Sequence, residues 1–273
     1  MSTHININGR LMPAAQSKLA PDNRAFRYGD GFFETIRVSE GRILLSQHHF
    51  RRFFAAAAQL KFVIPALLTA EQLEKEILHL VEKCGLANHA RVRLAAWSGN
   101  GGLFEGPYTL HYQIECWPLT KEQTEWNENG LILGIFTEGR KAPDGLANIK
   151  SSSFLPYSIA ARFAKAQKWN DAIVLNTRDQ ICDSCIANIF WIRNRNIFTT
   201  PLHDGPVAGV FREHLMKHIQ VTEKSATVDD LLNAEEIFMT NAIRGIRWVQ
   251  RIDEKQYGSN QTFEIYRKIR QTF

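Results

Sequence analysis

The sequence predicts an α+β protein of two domains, and three observations carry that prediction. Short β-like runs and helix-like stretches occur in both halves of the 273 residues. The second half lacks the regular strand-helix-strand alternation that a doubly wound parallel sheet requires. A polar stretch, residues 118–130 (PLTKEQTEWNENG), ends in a turn signal between the halves, so domains are expected at 1–120 and 121–273.

In the first half, residues 4–9 read as a short strand ending at Gly9. Residues 31–38 and 42–45 read as a hairpin turned at Glu40-Gly41. Helices are predicted over residues 46–60 and 70–84. For the second of these, Thr69 and Gln72 make a capping-box pattern and Gly85 supplies the stop. Further β-like runs lie at 91–96 and 109–117. In the second half, short apolar runs occupy 131–136, 172–175, 187–192, 197–199 and 236–240, with helices over 154–168, 209–219 and 262–271.

Composition narrows the class. With 44% of residues hydrophobic and 22% charged, the chain can bury a full core, which excludes a disordered protein. No apolar run of about 18 residues occurs. The opening MSTHININGR has polar residues where a signal peptide carries its apolar region, so a soluble, cytoplasmic protein without a membrane partner is expected. Four cysteines in a chain of this length make no dense disulfide framework, which fits a reducing compartment. The formal charge of +5 is modest and its lysines and arginines are scattered, so no nucleic-acid partner is expected. A small polyanionic ligand suits that balance.

Three stretches carry chemistry by their order. Asn148-Ile149-Lys150 precedes a serine triplet and a predicted helix; DSCIANIFW occupies 183–191; DGPVAGVFR occupies 204–212. Taken singly, a lysine is usually a solvated residue, an acidic residue between strands a turn former, and a glycine before a helix punctuation. Upstream lie Tyr28-Gly29-Asp30-Gly31-Phe32-Phe33-Glu34-Thr35 and His49-Phe50-Arg51-Arg52-Phe53, and downstream Thr240-Asn241-Ala242. Together these motifs resemble the class IV aminotransferase family, which includes branched-chain aminotransferases, D-amino acid aminotransferases and 4-amino-4-deoxychorismate lyases. The resemblance covers nearly the whole chain.

It implies a fold-type IV pyridoxal 5'-phosphate enzyme, with a small N-terminal α/β sandwich and a larger C-terminal pseudo-barrel domain that carries the cofactor lysine. Lys150 is similar to the lysine that holds the cofactor as a Schiff base and serves as acid and base. Such an amine must be partly desolvated to deprotonate near neutral pH. Arg52 matches the phosphate-binding arginine, whose planar fork suits a phosphate dianion; Arg51 reads as a solvated helix charge. Gly209, Val210 and Phe211 match a helix start that turns backbone N–H groups to the phosphate. Asn241, Ala242 and Ile243 match a second phosphate turn. Many relatives have threonine at the position of Phe211, so one hydroxyl contact is missing here. Asp183 falls where the family has a glutamate on the pyridine nitrogen, and aspartate brings the same charge on a side chain one methylene shorter.

Cys182 and Cys185 make a C-x-x-C without a second pair, so no metal is expected. His48 and His49 read as helix-start residues. CIANIFW and TNAIRGI are closer to the lyases than to the aminotransferases, which implies elimination of pyruvate from 4-amino-4-deoxychorismate to give the folate precursor 4-aminobenzoate. Thr35 could then guide a proton, and Tyr28, Phe33 and Arg244 are candidate substrate contacts. Arg27, Arg93 and Arg247 are further candidates for the two substrate carboxylates. A branched-chain or D-amino acid aminotransferase and a non-catalytic member of the fold are the alternatives. The resemblance also implies a homodimer.

Overall fold

A computed structural model describes residues 3–273. Its first unit runs through Gln123 and takes in Lys150–Ser153, and its second comprises Thr124–Ile149 and Phe154–Phe273.

In the first unit, apolar and polar residues alternate along the strands, which buries one face of an antiparallel sheet. The elements are β1 (His4–Ile7), β2 (Arg10–Pro13), α1 (Arg24–Tyr28), β3 (Gly31–Ser39), β4 (Arg42–Ile43), α2 (Ser46–Gln59), α3 (Ala70–Lys83), β5 (His89–Trp97) and β6 (His111–Pro118). The sheet order is β2-β1-β6-β5-β3-β4. Val92 and Leu94 from β5 and Ile114 and Cys116 from β6 are fully buried. Phe32 of β3 meets Phe53 of α2 with ring centroids 5.0 Å apart, so the even-numbered residues of β3 face that helix.

The expected hairpin joins β3 to β4, with Glu40 (φ 51°) and Gly41 (φ 71°) both left-handed, as a two-residue turn requires. Half of the expected capping box forms. Thr69 accepts from Gln72 N at 3.2 Å, while the Gln72 side chain turns to Glu76. In this unit β2, reached through a turn at Asn8-Gly9, and α1, whose N-cap Asn23 accepts from Phe26 N at 3.1 Å, are not expected from the sequence.

The second unit holds β7 (Leu131–Ile135), α4 (Leu155–Ala166), β8 (Asp171–Leu175), β9 (Ile181–Ser184), β10 (Asn188–Arg193), β11 (Asn196–Thr199), α5 (Val210–His218), β12 (Thr222–Glu223), α6 (Val228–Leu232), β13 (Glu236–Asn241), β14 (Gly245–Ile252), β15 (Lys255–Gln256) and α7 (Asn260–Arg270). Its mixed sheet runs β12-β11-β10-β13-β14-β7-β8-β9, with β15 on β14. Strand β8 is buried along its whole length because both faces are covered. Ile173 and Leu175 join a core with Ile189, Trp191 and Ile237, whereas Ala172 and Val174 pack with Phe136, Tyr157 and Ala160 under α4. Asp183 pairs with Val174 and therefore lies on the α4 side.

The domain boundary expected after residue 120 puts Lys150 with the second half, whereas Lys150–Ser153 group with the first unit. The reason is backbone pairing: Phe33 N–H donates to Lys150 O at 2.9 Å and Ser152 N–H to Gly31 O at 2.7 Å.

Candidate active site

Each unit carries its own group of predicted site residues. In the first, Gly31 permits the close approach of residues 150–153, since a Cβ there would lie 2.5 Å from Ala96 O and 3.1 Å from Ser152 Oγ. Lys150 Nζ lies 4.7 Å from the centroid of the Phe33 ring, and the Arg93 guanidinium stacks on the same ring at 3.8 Å. Thr35 pairs with Arg93 across the sheet, on the face that carries Phe33. The strand period thus gathers Lys150, Phe33, Thr35 and Arg93 on one side of β3. Tyr28 closes α1 and is 45% exposed. Arg27 donates to Pro21 O at 3.0 Å.

On the other side of β3, Glu34 is buried against α2. It receives Arg52 through Nε at 2.7 Å and Nη2 at 2.5 Å, and His49 Nδ1 at 2.7 Å. Burial alone would raise the Glu34 carboxyl, but the Arg52 charge and the two side-chain donors outweigh it and bring it down to about 2. Burial drives His49 the other way from a charged state, below its ordinary value, against the pull of Glu34. His49 is therefore neutral at pH 7, with Nδ1–H donated to Glu34 and a buried Nε2 that has no hydrogen-bond partner. The sequence marks His49 as a helix-start residue and Arg52 as the phosphate arginine; the three-residue spacing of His49 and Arg52 puts both on one helix face and is the signal for the shared carboxylate.

In the second unit, Asp183 is 2% exposed. The Tyr157 hydroxyl stands 2.9 Å from both of its oxygens, and Val207 N–H donates to Oδ2 at 2.9 Å. Lys141 Nζ donates to the Tyr157 oxygen at 2.5 Å and lies 4.0 Å from Asp183 Oδ2. Burial, then the Asp183 charge, holds the Tyr157 hydroxyl well above its ordinary value, so it remains a donor. Sequence reasoning missed Lys141 and Tyr157, which come from a loop and a helix with no spacing in common with Asp183. Cys182 and Cys185 flank the site as buried thiols, both pushed up chiefly by burial, and donate to the Asp204 and Ala172 carbonyls.

Gly209 caps α5, a helix of 9 residues whose start has no side-chain cap. A Cβ at Gly209 would lie 1.9 Å from Asn188 Oδ1. Asn188 in turn donates to Val207 O at 2.8 Å, and Val207 N–H holds Asp183, so the helix start and the carboxylate are braced together. Val210 opens the helix. The Phe211 side chain is buried beside Phe273, which leaves its backbone as the part that can meet an anion. In the Asn241 turn, Asn241 Oδ1 accepts from Ile243 N at 3.1 Å and Arg244 N at 2.8 Å, so those two amides are engaged within the turn; Ala242 lies between. The Arg244 side chain is exposed, whereas Arg247 is buried and donates to Glu125 O. Among the described residues, no group of three or more His, Cys, Asp or Glu could hold a metal ion. No described helix is long and apolar enough to cross a membrane.

The family model "Amino-transferase class IV" matches residues 31–252. An aminodeoxychorismate lyase of Vibrio harveyi is 26% identical over 236 residues, covering 85% of this chain and 86% of the relative. An aminodeoxychorismate lyase of Bacillus subtilis (strain 168) is 29% identical over 275 residues, covering 93% and 88%. D-alanine aminotransferases are also among the relatives. The crystal structure of a branched-chain aminotransferase from Thermoproteus uzoniensis shares the fold, with a TM-score of 0.90 at 24% identity over 99% of this chain and 94% of that one.

Proposed function

The chain belongs to the class IV aminotransferase family, and on that premise we propose that it is a pyridoxal-phosphate-dependent aminodeoxychorismate lyase that acts as a cytoplasmic homodimer. The single observation that carries a pyridoxal-phosphate reading is the buried seat of Asp183, held by Tyr157 and Val207, beside a start of α5 that has no side-chain cap. Its chemistry fits the group: a carboxylate for a pyridine nitrogen and helix amides for a phosphate. The lyase reading over an aminotransferase is supported by the CIANIFW run and by the two relatives named as lyases.

When bound, pyridoxal phosphate supplies a carbonyl that condenses with amines and a ring that withdraws electrons from the attached carbon. Arg52, its plane fixed by Glu34, would bind the phosphate from the first unit; in the second, the amides of Val210 and Phe211 at the helix start capped by Gly209, and the Asn241–Ala242–Ile243 turn, would do so. Asp183 would hold a proton on the ring nitrogen. Lys150 would hold the cofactor and then, as a free amine, take the proton from C4 of the substrate with its Nζ. Thr35 could relay that proton through its hydroxyl. Tyr28, Phe33 and Arg244 are the substrate contacts in this reading, and Arg93, held on Phe33, joins them as a cation for a carboxylate.

The D-alanine aminotransferase relatives favour the alternative in which the amine stays on the cofactor. Incubating the purified protein with aminodeoxychorismate and, separately, with D-alanine or branched-chain L-amino acids distinguishes the two. A lyase releases 4-aminobenzoate. Conversion to the pyridoxamine form by an amino acid, with no 4-aminobenzoate, would replace the lyase reading with the aminotransferase one.

A further inference from the structure

Asp183 has more compensation than its hydrogen bonding needs. The Tyr157 hydroxyl already spans both oxygens at 2.9 Å and Val207 N–H takes one of them. A cation is nevertheless set beside this pair, with Lys141 Nζ at 2.5 Å from the Tyr157 oxygen and its side chain only 12% exposed. Its backbone is pinned in place, Lys141 N–H donating to Leu175 O at 2.9 Å and Lys141 O accepting from Thr177 N–H at 3.1 Å. Bringing an ammonium into so dry a place is costly unless the charge is used.

Resting on the reading of this chain as a pyridoxal-phosphate enzyme, we infer that Lys141 is a specificity-determining residue: seated on Tyr157, it shares the Asp183 charge and so weakens that carboxylate's hold on a ring-nitrogen proton. A carboxylate that already faces a cation attracts a second one less strongly. Of the other titratable groups around it, Tyr157, Cys182 and Cys185 are neutral, while the buried carboxylates beyond the two thiols have partners of their own, Asp204 the Arg178 guanidinium at 3.0 Å and Asp171 the Ser184 hydroxyl at 2.8 Å.

The consequence lies in which reaction follows C4 deprotonation. In elimination, Lys150 Nζ takes the C4 proton and the C4–H electron pair becomes the new C3–C4 double bond. The C3–O bond breaks, its pair leaves on the enolpyruvyl oxygen, and the proton carried by Lys150 passes to that fragment, which departs as pyruvate. Amino transfer would instead need Asp183 to keep the ring nitrogen firmly protonated. By drawing on the Asp183 charge, Lys141 would disfavour that route and leave elimination.

The test uses holoenzyme loaded with ring-15N-labelled pyridoxal phosphate, comparing wild type with Lys141→Met, Lys141→Gln and Lys141→Arg. The 15N shift is followed against pH, and 4-aminobenzoate release is measured against accumulation of the pyridoxamine form. Methionine and glutamine should both raise the ring-nitrogen pKa by about one unit, a tenfold change in proton affinity, and raise the pyridoxamine fraction per turnover. Arginine should restore wild-type values. Identical 15N titrations in wild type and in whichever neutral variant loads cofactor would overturn the inference, as would failure of both neutral variants to load while arginine loads, which marks a structural role. Absence of 4-aminobenzoate from wild type with the 15N difference intact would remove the lyase reading and leave the role of Lys141 at the ring nitrogen standing.

Discussion

Arg52 and Glu34 meet through two hydrogen bonds, Nε to Oε1 at 2.7 Å and Nη2 to Oε2 at 2.5 Å, so the guanidinium plane is fixed by a buried carboxylate on the neighbouring strand. The same carboxylate holds His49. Strand β3 thereby determines the orientation of a residue on α2 that the family resemblance assigns to phosphate binding.

Removing that carboxylate takes the partner from the buried His49 Nδ1–H and a bidentate anchor from Arg52, whose side chain is 16% exposed. Glu34→Ala is expected to cost about 3–5 kcal/mol of stability, the range for breaking a buried ion pair. The conservative Glu34→Gln should fold better yet bind pyridoxal phosphate less tightly than wild type. Urea unfolding and cofactor titration measure the two effects, and an unchanged midpoint for Glu34→Ala would count against the network.

Acid should expose the same cluster in two stages. His49 sits below its ordinary value of 6.5 in the fold, so under about pH 6.5 the unfolded chain takes up a proton that the native state refuses, and stability falls. The folded Glu34 carboxyl, at about 2 against 4.5, contributes stability that is full above pH 4.5 and is lost as the pH drops toward 2. Melting temperatures measured across pH should therefore decline from about 6.5 downward. His49→Gln should remove the upper limb and keep the lower one. A wild-type melting temperature that is flat from pH 7 to pH 5 would show that His49 is not held neutral.

Gly209 is required by space rather than by backbone freedom, since its φ is −68°. In Gly209→Ala the new methyl would sit 1.9 Å from Asn188 Oδ1. Asn188 must then release Val207, and Val207 N–H in turn holds Asp183. The variant is expected to lose about 1–3 kcal/mol of stability, the usual cost of overpacking, and to bind both inorganic phosphate and cofactor more weakly. Thermal unfolding and fluorescence titration would check this; wild-type values for both would mean that the helix start is not braced by Asn188.

The parts of this molecule that were legible in the sequence are those whose cause is local. Glu40-Gly41 makes its turn because both residues accept positive φ, and the alternation of β5 and β6 follows from one buried sheet face. Lys150 is singled out only by its order among other motifs, since no property of the lysine itself marks it. What escaped was set by distant partners. Residues 150–153 join the first unit through main-chain bonds to β3, which carry no side-chain signature. Lys141 and Tyr157 meet Asp183 because β8 pairs with β9 and α4 packs across them, a register that periodicity does not encode. The buried side chain of Phe211 likewise depends on Phe273, far along the chain.

Lys150 is the residue proposed to hold pyridoxal phosphate. Borohydride reduction of the cofactor-loaded protein, followed by proteolysis and mass spectrometry, tests it most directly. The phosphopyridoxyl group is expected on the peptide containing Lys150, and its loss, together with loss of 4-aminobenzoate release, in Lys150→Ala. A reduced adduct on Lys141 or another lysine, or an adduct unchanged in Lys150→Ala, would contradict it.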